Sequence, residues 1–168
     1  LQKKTINFNQ LYRVITYIIL GVLFDQITKL LAVSYLTNDV IEIIPHFFRF
    51  ELTYNTGMAF GLLQNARIIF IVLTVVVLVW GWKYYQTYFT VSKWFYWGGI
   101  LFFAGTLGNF LDRLFYGRVT DFIAVNFGSY QFPIFNVADS FLTISIALIL
   151  IAVYVHEKAL EKEHMVNE

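Results

Sequence analysis

The residues best suited to chemistry in this 168-residue chain are two carboxylates, Asp121 and Asp139. They stand 18 residues apart, so no single helix presents both and folding must bring them together. Held close, two like charges do not both ionise easily, and the pair shares one proton. The ionised member can then draw a proton from water while the protonated member donates to a carbonyl oxygen, as in the aspartic proteases, a separate group of enzymes. Each Asp also has a plainer reading. Asn136 followed three residues later by Asp139 has the pattern of a helix N-cap box. Asp121, which follows Val119-Thr120, is equally readable as a solvated loop carboxylate. Residue types alone leave both readings open.

Three further polar groups need a reason. Asp25 and Lys29 sit at i and i+4 inside an apolar stretch, on one helix face. An ionisable group there costs about 2.5–3.5 kcal/mol on insertion scales, so a mutually neutralising structural pair is the simpler reading. Asn109, Asp112 and Arg113 follow Gly105-Thr106-Leu107-Gly108 and cluster on one face at spacings of three and four. They form either a helix-end salt bridge or a polar site in which Arg113 offers a fixed donor fork. Asn55-Thr56-Gly57-Met58-Ala59-Phe60 reads as a glycine turn, or as an amide clamp on a backbone that Gly57 lets approach closely. The absence of cysteine removes thiol nucleophiles, thiolate metal sites and disulfides. With no Walker motif, dinucleotide glycine fingerprint or His pair at ligand spacing, neither a metal nor an organic cofactor is expected.

The elements that must position these groups lie in a membrane. Hydrophobic residues make up 58% of the chain and aromatics 20%, while only 14% are charged, and the mean hydropathy is +0.64. A soluble globule of this size could not cover so much apolar surface. A net charge of +1 excludes an electrostatic nucleic-acid binder. Four apolar stretches are expected to span, at about 14–36, 66–84, 94–112 and 137–156, within one membrane domain covering 1–168. Segments 1–13, 83–93 and 156–168 carry seven basic residues, against four in 37–67 and 112–131. The positive-inside rule then places both termini in the cytoplasm and both Asp residues towards the outer surface. Alternation in Ile41-Glu42-Ile43 and Phe48-Arg49-Phe50-Glu51-Leu52 predicts a small outer β element at about 40–62.

Five ordered motifs together carry a family resemblance. They are Asp25-Gln26-Ile27-Thr28-Lys29, Asn55-Thr56-Gly57-Met58-Ala59-Phe60, Gly108-Asn109-Phe110-Leu111-Asp112-Arg113, Val119-Thr120-Asp121-Phe122 and Phe135-Asn136-Val137-Ala138-Asp139-Ser140. In this order the chain, from about 14 to 155, resembles the bacterial lipoprotein signal peptidases, or signal peptidases II. The resemblance implies an all-α membrane protein with four transmembrane helices, a small outer-face β-cradle and a short outer helix in the last loop. It implies an aspartyl endopeptidase of the bacterial cytoplasmic membrane that removes the signal peptide from diacylglyceryl-modified prolipoproteins, cutting immediately before the lipidated cysteine. Asp121 and Asp139 match the catalytic pair of that family. Asn55, Gly57, Asn109, Arg113 and Asn136 match its substrate-binding positions, and Asp25, Lys29 and Asp112 its structural polar ones. Thr120 stands where the family often has Val. Inhibition by globomycin-type compounds, contact with membrane lipid and a monomeric state are the further expectations. The competing class is a small transporter or channel subunit using Asp25, Lys29 and Asp112 as an intramembrane polar path. That class predicts ionisable groups near the midplane and related halves with broken helices, whereas Asp121 and Asp139 are placed towards one surface and the two halves share no pattern.

Overall fold

The computed structural model describes residues 6–57, 66–90 and 92–166. In chain order these form α1 (Phe8–Leu36), β1 (Ile41–Ile44), β2 (Phe48–Asn55), α2 (Arg67–Tyr88), α3 (Lys93–Tyr116), β3 (Val119–Phe127), β4 (Tyr130–Gln131) and α4 (Val137–Val166). Helix boundaries follow local chemistry. Asn7 and Gln10 form a reciprocal capping box at the start of α1. Ser92 Oγ accepts from the Phe95 N–H to start α3. Gly117, at φ 71°, ends α3 in the left-handed conformation, its N–H donating to the Arg113 carbonyl.

Among the described residues, three helices are long and apolar enough to cross a membrane: α1, α2 and α4 over Val137–Lys162. Large apolar side chains such as Leu20, Phe24, Leu31, Leu73, Trp80 and Leu150 are exposed on them. That is the outward face of helices whose solvent is lipid. Helix α3 differs in composition because it is the central element, packed against all three of the others. Its glycines and its buried Asn109 and Asp112 face neighbouring helices. Close approach depends on two glycines in particular. A methyl group at Gly105 would lie 2.5 Å from the Ala138 carbonyl oxygen of α4, and one at Gly108 would lie 2.5 Å from Asp25 Oδ2 of α1.

A four-stranded antiparallel sheet, in the order β1-β2-β3-β4, lies where α1 ends and α4 begins. The alternating segments after α1 form β1 and β2. Residues 58–62 of the expected β element, with Met58-Ala59-Phe60, lie outside the described residues. The sheet also recruits the connection between α3 and α4. Strand β3 pairs with β2 from Phe48↔Val125 to Asn55↔Val119, with a bulge between Phe50 and Thr53. Ala32, Leu36 and Phe122, joined by Phe50, Leu52 and Val137, anchor the sheet on α1 and α4.

The short helix expected in the last loop is absent; 117–136 holds only β3, a turn, β4 and an isolated bridge. Its backbone groups are committed elsewhere. The Phe135 carbonyl accepts from Phe122 and Ile123, and the Phe135 N–H donates to Ile123 at 3.1 Å. Those bonds draw the chain extended along β3 rather than coiling it.

Candidate active site

Asp139 occupies the third residue of α4 and does form the N-cap box. Its N–H donates to Asn136 Oδ1 at 2.9 Å, and its Oδ2 accepts from the Asn136 N–H at 3.1 Å. The cap leaves Oδ1 free to accept from Asn109 Nδ2 of α3 at 2.7 Å. Asp139 is therefore a capping residue and a member of a polar cluster at once.

Asp121, by contrast, is no solvated loop carboxylate. Strand pairing places it opposite Thr53 on β2, with 2% of its surface exposed. Its Oδ1 accepts from Asn136 Nδ2 at 2.6 Å, and Asn55 supplies a second side-chain hydrogen bond. Burial, reinforced by the charge of Asp139, pushes the Asp121 carboxyl up to about 7. The hydrogen bonds from Asn136 and Asn55 and the charge of Lys29 pull the other way.

Asn136 and Asn109 tie the two carboxylates together. Asn136 Nδ2 reaches Asn109 Oδ1 at 3.1 Å and the Thr120 carbonyl at 3.3 Å, besides Asp121. Asn109 Oδ1 also accepts from Lys29 Nζ at 3.0 Å. Arg113, one turn beyond Asn109, directs Nη2 to the Gly57 carbonyl at 3.4 Å and lies over the Phe70 ring at 4.9 Å. Gly57 is held in turn by its own N–H, which donates to Asn55 Oδ1 at 2.9 Å. So α3, β2, β3 and α4 each contribute to one cluster.

Asp25, Lys29 and Asp112 form a buried ionic group behind that cluster, with Lys29 Nζ 2.9 Å from Asp25 and 3.1 Å from Asp112. Gln26 completes it, its amide reaching Asp25, Asp112 and the Gly108 carbonyl. Residue-type reasoning passed over Gln26, although a polar amide inside an apolar stretch was the available signal. Thr53 was missed too; its signal was its place two residues before Asn55 on an alternating strand.

The cluster opens into a groove of about 1040 Å³. Asn55, Asn109, Arg113, Asp121 and Asp139 line its polar part. The extended 130–135 segment and Leu142 with Ile144 of α4 supply a largely apolar wall. A groove with a few convergent polar groups on an apolar lining suits a ligand that is part polar backbone and part hydrocarbon. Among the described residues, no group of three His, Cys, Asp or Glu is placed to hold a metal ion.

Fold and site thus define a membrane-helix protein with two hydrogen-bonded carboxylates at the mouth of an apolar groove, under a small antiparallel sheet. Comparison with known proteins agrees. The model of the family described as signal peptidase (SPase) II matches residues 17–155. Proteins named lipoprotein signal peptidase from Staphylococcus aureus, strains JH9 and Newman, are each 40% identical over 132 residues, covering 78% of this chain and 81% of theirs. Two solved bacterial membrane enzyme structures, at 2.3 Å and 1.9 Å resolution, superpose with a TM-score of 0.77 at 34% and 35% identity. The first covers 92% of this chain and 93% of its own; the second covers 91% and 97%. The chain belongs to the signal peptidase II family.

Proposed function

We infer that this protein is an aspartic endopeptidase that removes the signal peptide from diacylglyceryl-modified prolipoproteins, cutting immediately before the lipidated cysteine. One observation carries the reading. A single residue, Asn136, donates its side-chain amide to Asp121 at 2.6 Å and its backbone N–H to the Asp139 carboxylate at 3.1 Å, while its side-chain oxygen accepts from the Asp139 N–H. Two carboxylates are thereby held facing one polar cluster at the mouth of an apolar groove.

The chemistry follows from the environments. Asp121, with its carboxyl at about 7, holds the shared proton near neutrality. Asp139, with donors on both oxygens, acts as the ionised base. Asp139 takes a proton from water, the resulting oxygen attacks the scissile carbonyl, and Asp121 donates its proton to the carbonyl oxygen. The tetrahedral species then collapses as the C–N bond breaks: the leaving nitrogen takes the proton from Asp139, and Asp121 takes back the hydroxyl proton as the carbonyl re-forms, which restores the dyad. Asn55, Gly57, Asn109, Arg113 and Asn136 hold the peptide backbone and the dyad. Asp25, Lys29 and Asp112 supply the structural support.

In this reading the protein is a monomer of the bacterial cytoplasmic membrane, with both termini cytoplasmic. Its single domain crosses at about 14–36, 66–84, 94–112 and 137–156. Helix α3 is the fourth span, shielded from lipid by the other three, which is why it tolerates Asn109 and Asp112. The sheet lies on the outer face, where the acyl chains of a membrane-anchored substrate leave the scissile bond just above the hydrocarbon. The transporter reading finds less support, because Lys29 is enclosed between two carboxylates rather than set along a path. The test is cleavage of a diacylglyceryl-modified prolipoprotein beside its non-lipidated form, with and without globomycin. Cleavage of the lipidated form alone, blocked by globomycin, is expected. Equal cleavage of both forms, or ion flux in proteoliposomes without cleavage, would overturn the reading.

A further inference from the structure

The buried ionic group behind the dyad has a geometry that mere charge neutralisation does not require. Asp25 Oδ1 accepts from the N–H of Ala138, the residue immediately before Asp139, at 2.9 Å. Asp112 Oδ2 accepts from the N–H of Thr120, the residue immediately before Asp121, at 3.0 Å. Each carboxylate thus grips the backbone directly behind one member of the dyad. Lys29 joins the two grips, and its third contact is the Asn109 oxygen. Gln26 Nε2 joins them again, lying 3.1 Å from Asp25 Oδ2 and 2.9 Å from Asp112 Oδ1.

Energetics argue that this arrangement serves more than stability. Burying ions costs several kcal/mol each, and well-packed apolar residues of similar volume often hold helices together as well or better. Two carboxylates against one ammonium also leave a net negative charge. The amide of Gln26 supplies the additional donor that both carboxylates accept. Asp25 joins α1 to α4, Lys29 and Gln26 join α1 to α3, and Asp112 joins α3 to β3.

The geometry points to Lys29 and Gln26 as positioning residues that set the separation of Asp121 and Asp139, acting through the Asp25 grip on α4 and the Asp112 grip on β3. The inference rests on the peptidase reading. Neither residue touches substrate; both act through the backbone of the residues that do. A displacement of about 1 Å at a reacting centre can cost on the order of 100-fold in rate.

The experiment uses the full-length purified protein, a diacylglyceryl-modified prolipopeptide, and the variants Lys29→Met and Gln26→Leu. For each, kcat, KM, Tm and the pH profile of kcat/KM are measured. Gln26→Leu removes no charge and keeps the side chain's bulk, so it remains informative if Lys29→Met does not fold. The groups facing Asp121 are Asp139 on α4, Lys29 on α1 and Arg113 on α3; Asp25 and Asp112 stand behind them. In Gln26→Leu the loosened grips let the dyad separate, which weakens the push of Asp139 on Asp121 and lowers the alkaline limb of the profile; Lys29→Met also removes a charge that holds Asp121 down, so it is read by kcat and KM. Folded Gln26→Leu is expected to lose about tenfold in kcat with KM within about twofold and the alkaline limb moved down. Loss of activity only in proportion to the unfolded fraction, with both limbs unmoved, would overturn the positioning role and leave the peptidase reading intact. No cleavage by folded wild type would overturn both.

Discussion

Replacing Asn136 separates the parts of the site by size. In Asn136→Ala the cap on the Asp139 N–H is lost, at about 1 kcal/mol of stability. The amide donor to Asp121 is lost as well. A hydrogen bond to an ionised group is worth about 1.5–3 kcal/mol. Because this bond favours the ionised form, its removal raises the Asp121 carboxyl above its value of about 7. At about 1.4 kcal/mol per unit, the shift is about one to two units. Asp121 must be protonated to donate to the carbonyl oxygen, so the alkaline limb of kcat/KM moves up by that amount. The plateau falls by roughly 100-fold as the dyad loses its tie. Asn136→Ser keeps an acceptor for the Asp139 N–H and removes only the amide, so it shares the pH shift at a smaller stability cost. The assay is kcat/KM from pH 5 to 9 on a lipidated prolipopeptide, with Tm measured alongside. An alkaline limb that stays fixed or moves down in both variants would refute Asp121 as the proton donor and Asn136 as its partner.

Three other outcomes follow from the same geometry. Asp121 has a folded-state value raised from 3.8 to about 7, so the stability from its protonated form is complete below about pH 4 and lost as pH rises to about 7. Asp121→Asn cannot ionise, and its Tm advantage over wild type should therefore grow between those limits, towards an upper bound of roughly 4 kcal/mol; a constant difference across thermal melts from pH 4 to 8 would contradict this. Gly105→Ala sets a methyl 2.5 Å from the Ala138 carbonyl oxygen, on the turn that carries Asp139. It should cost about 1–3 kcal/mol in Tm-derived stability, with activity falling more than the folded fraction. Arg113→Lys exchanges a planar fork spanning the Gly57 and Asn109 carbonyls for a point charge, and is expected to raise KM about tenfold with a smaller change in kcat.

Much of this was legible in residue types. The apolar stretches correspond to helices because nothing but a helix or a closed barrel satisfies backbone groups in lipid. The Ile41 and Phe48 alternations announced β1 and β2 because a half-buried strand must alternate. Strand β3 was not legible, since Val119–Phe127 alternates poorly: it is buried on both faces near Asp121, where helices and β2 cover it. The missing helix of the last loop has the same origin, for the bonds of Phe135 to β3 are long-range and leave no local mark. At the site, Asn136-Val137-Ala138-Asp139 showed its cap in sequence, yet its link to Asp121 depended on the fold bringing β3 beside the Asn136 amide, 15 residues away. The grips of Asp25 on Ala138 and of Asp112 on Thr120 were likewise invisible, because backbone N–H groups carry no sequence signature.

The central claim is that Asp121 and Asp139 together activate water, and it is tested most directly by cleavage of a diacylglyceryl-modified prolipoprotein with purified wild type, Asp121→Asn and Asp139→Asn. Thermal melts would establish that each variant is folded. Loss of cleavage by at least 1,000-fold, on the order expected for removal of an essential acid or base, is predicted for both. Near-full cleavage by either folded variant would reduce that Asp to a cap or a buried structural carboxyl and contradict the account.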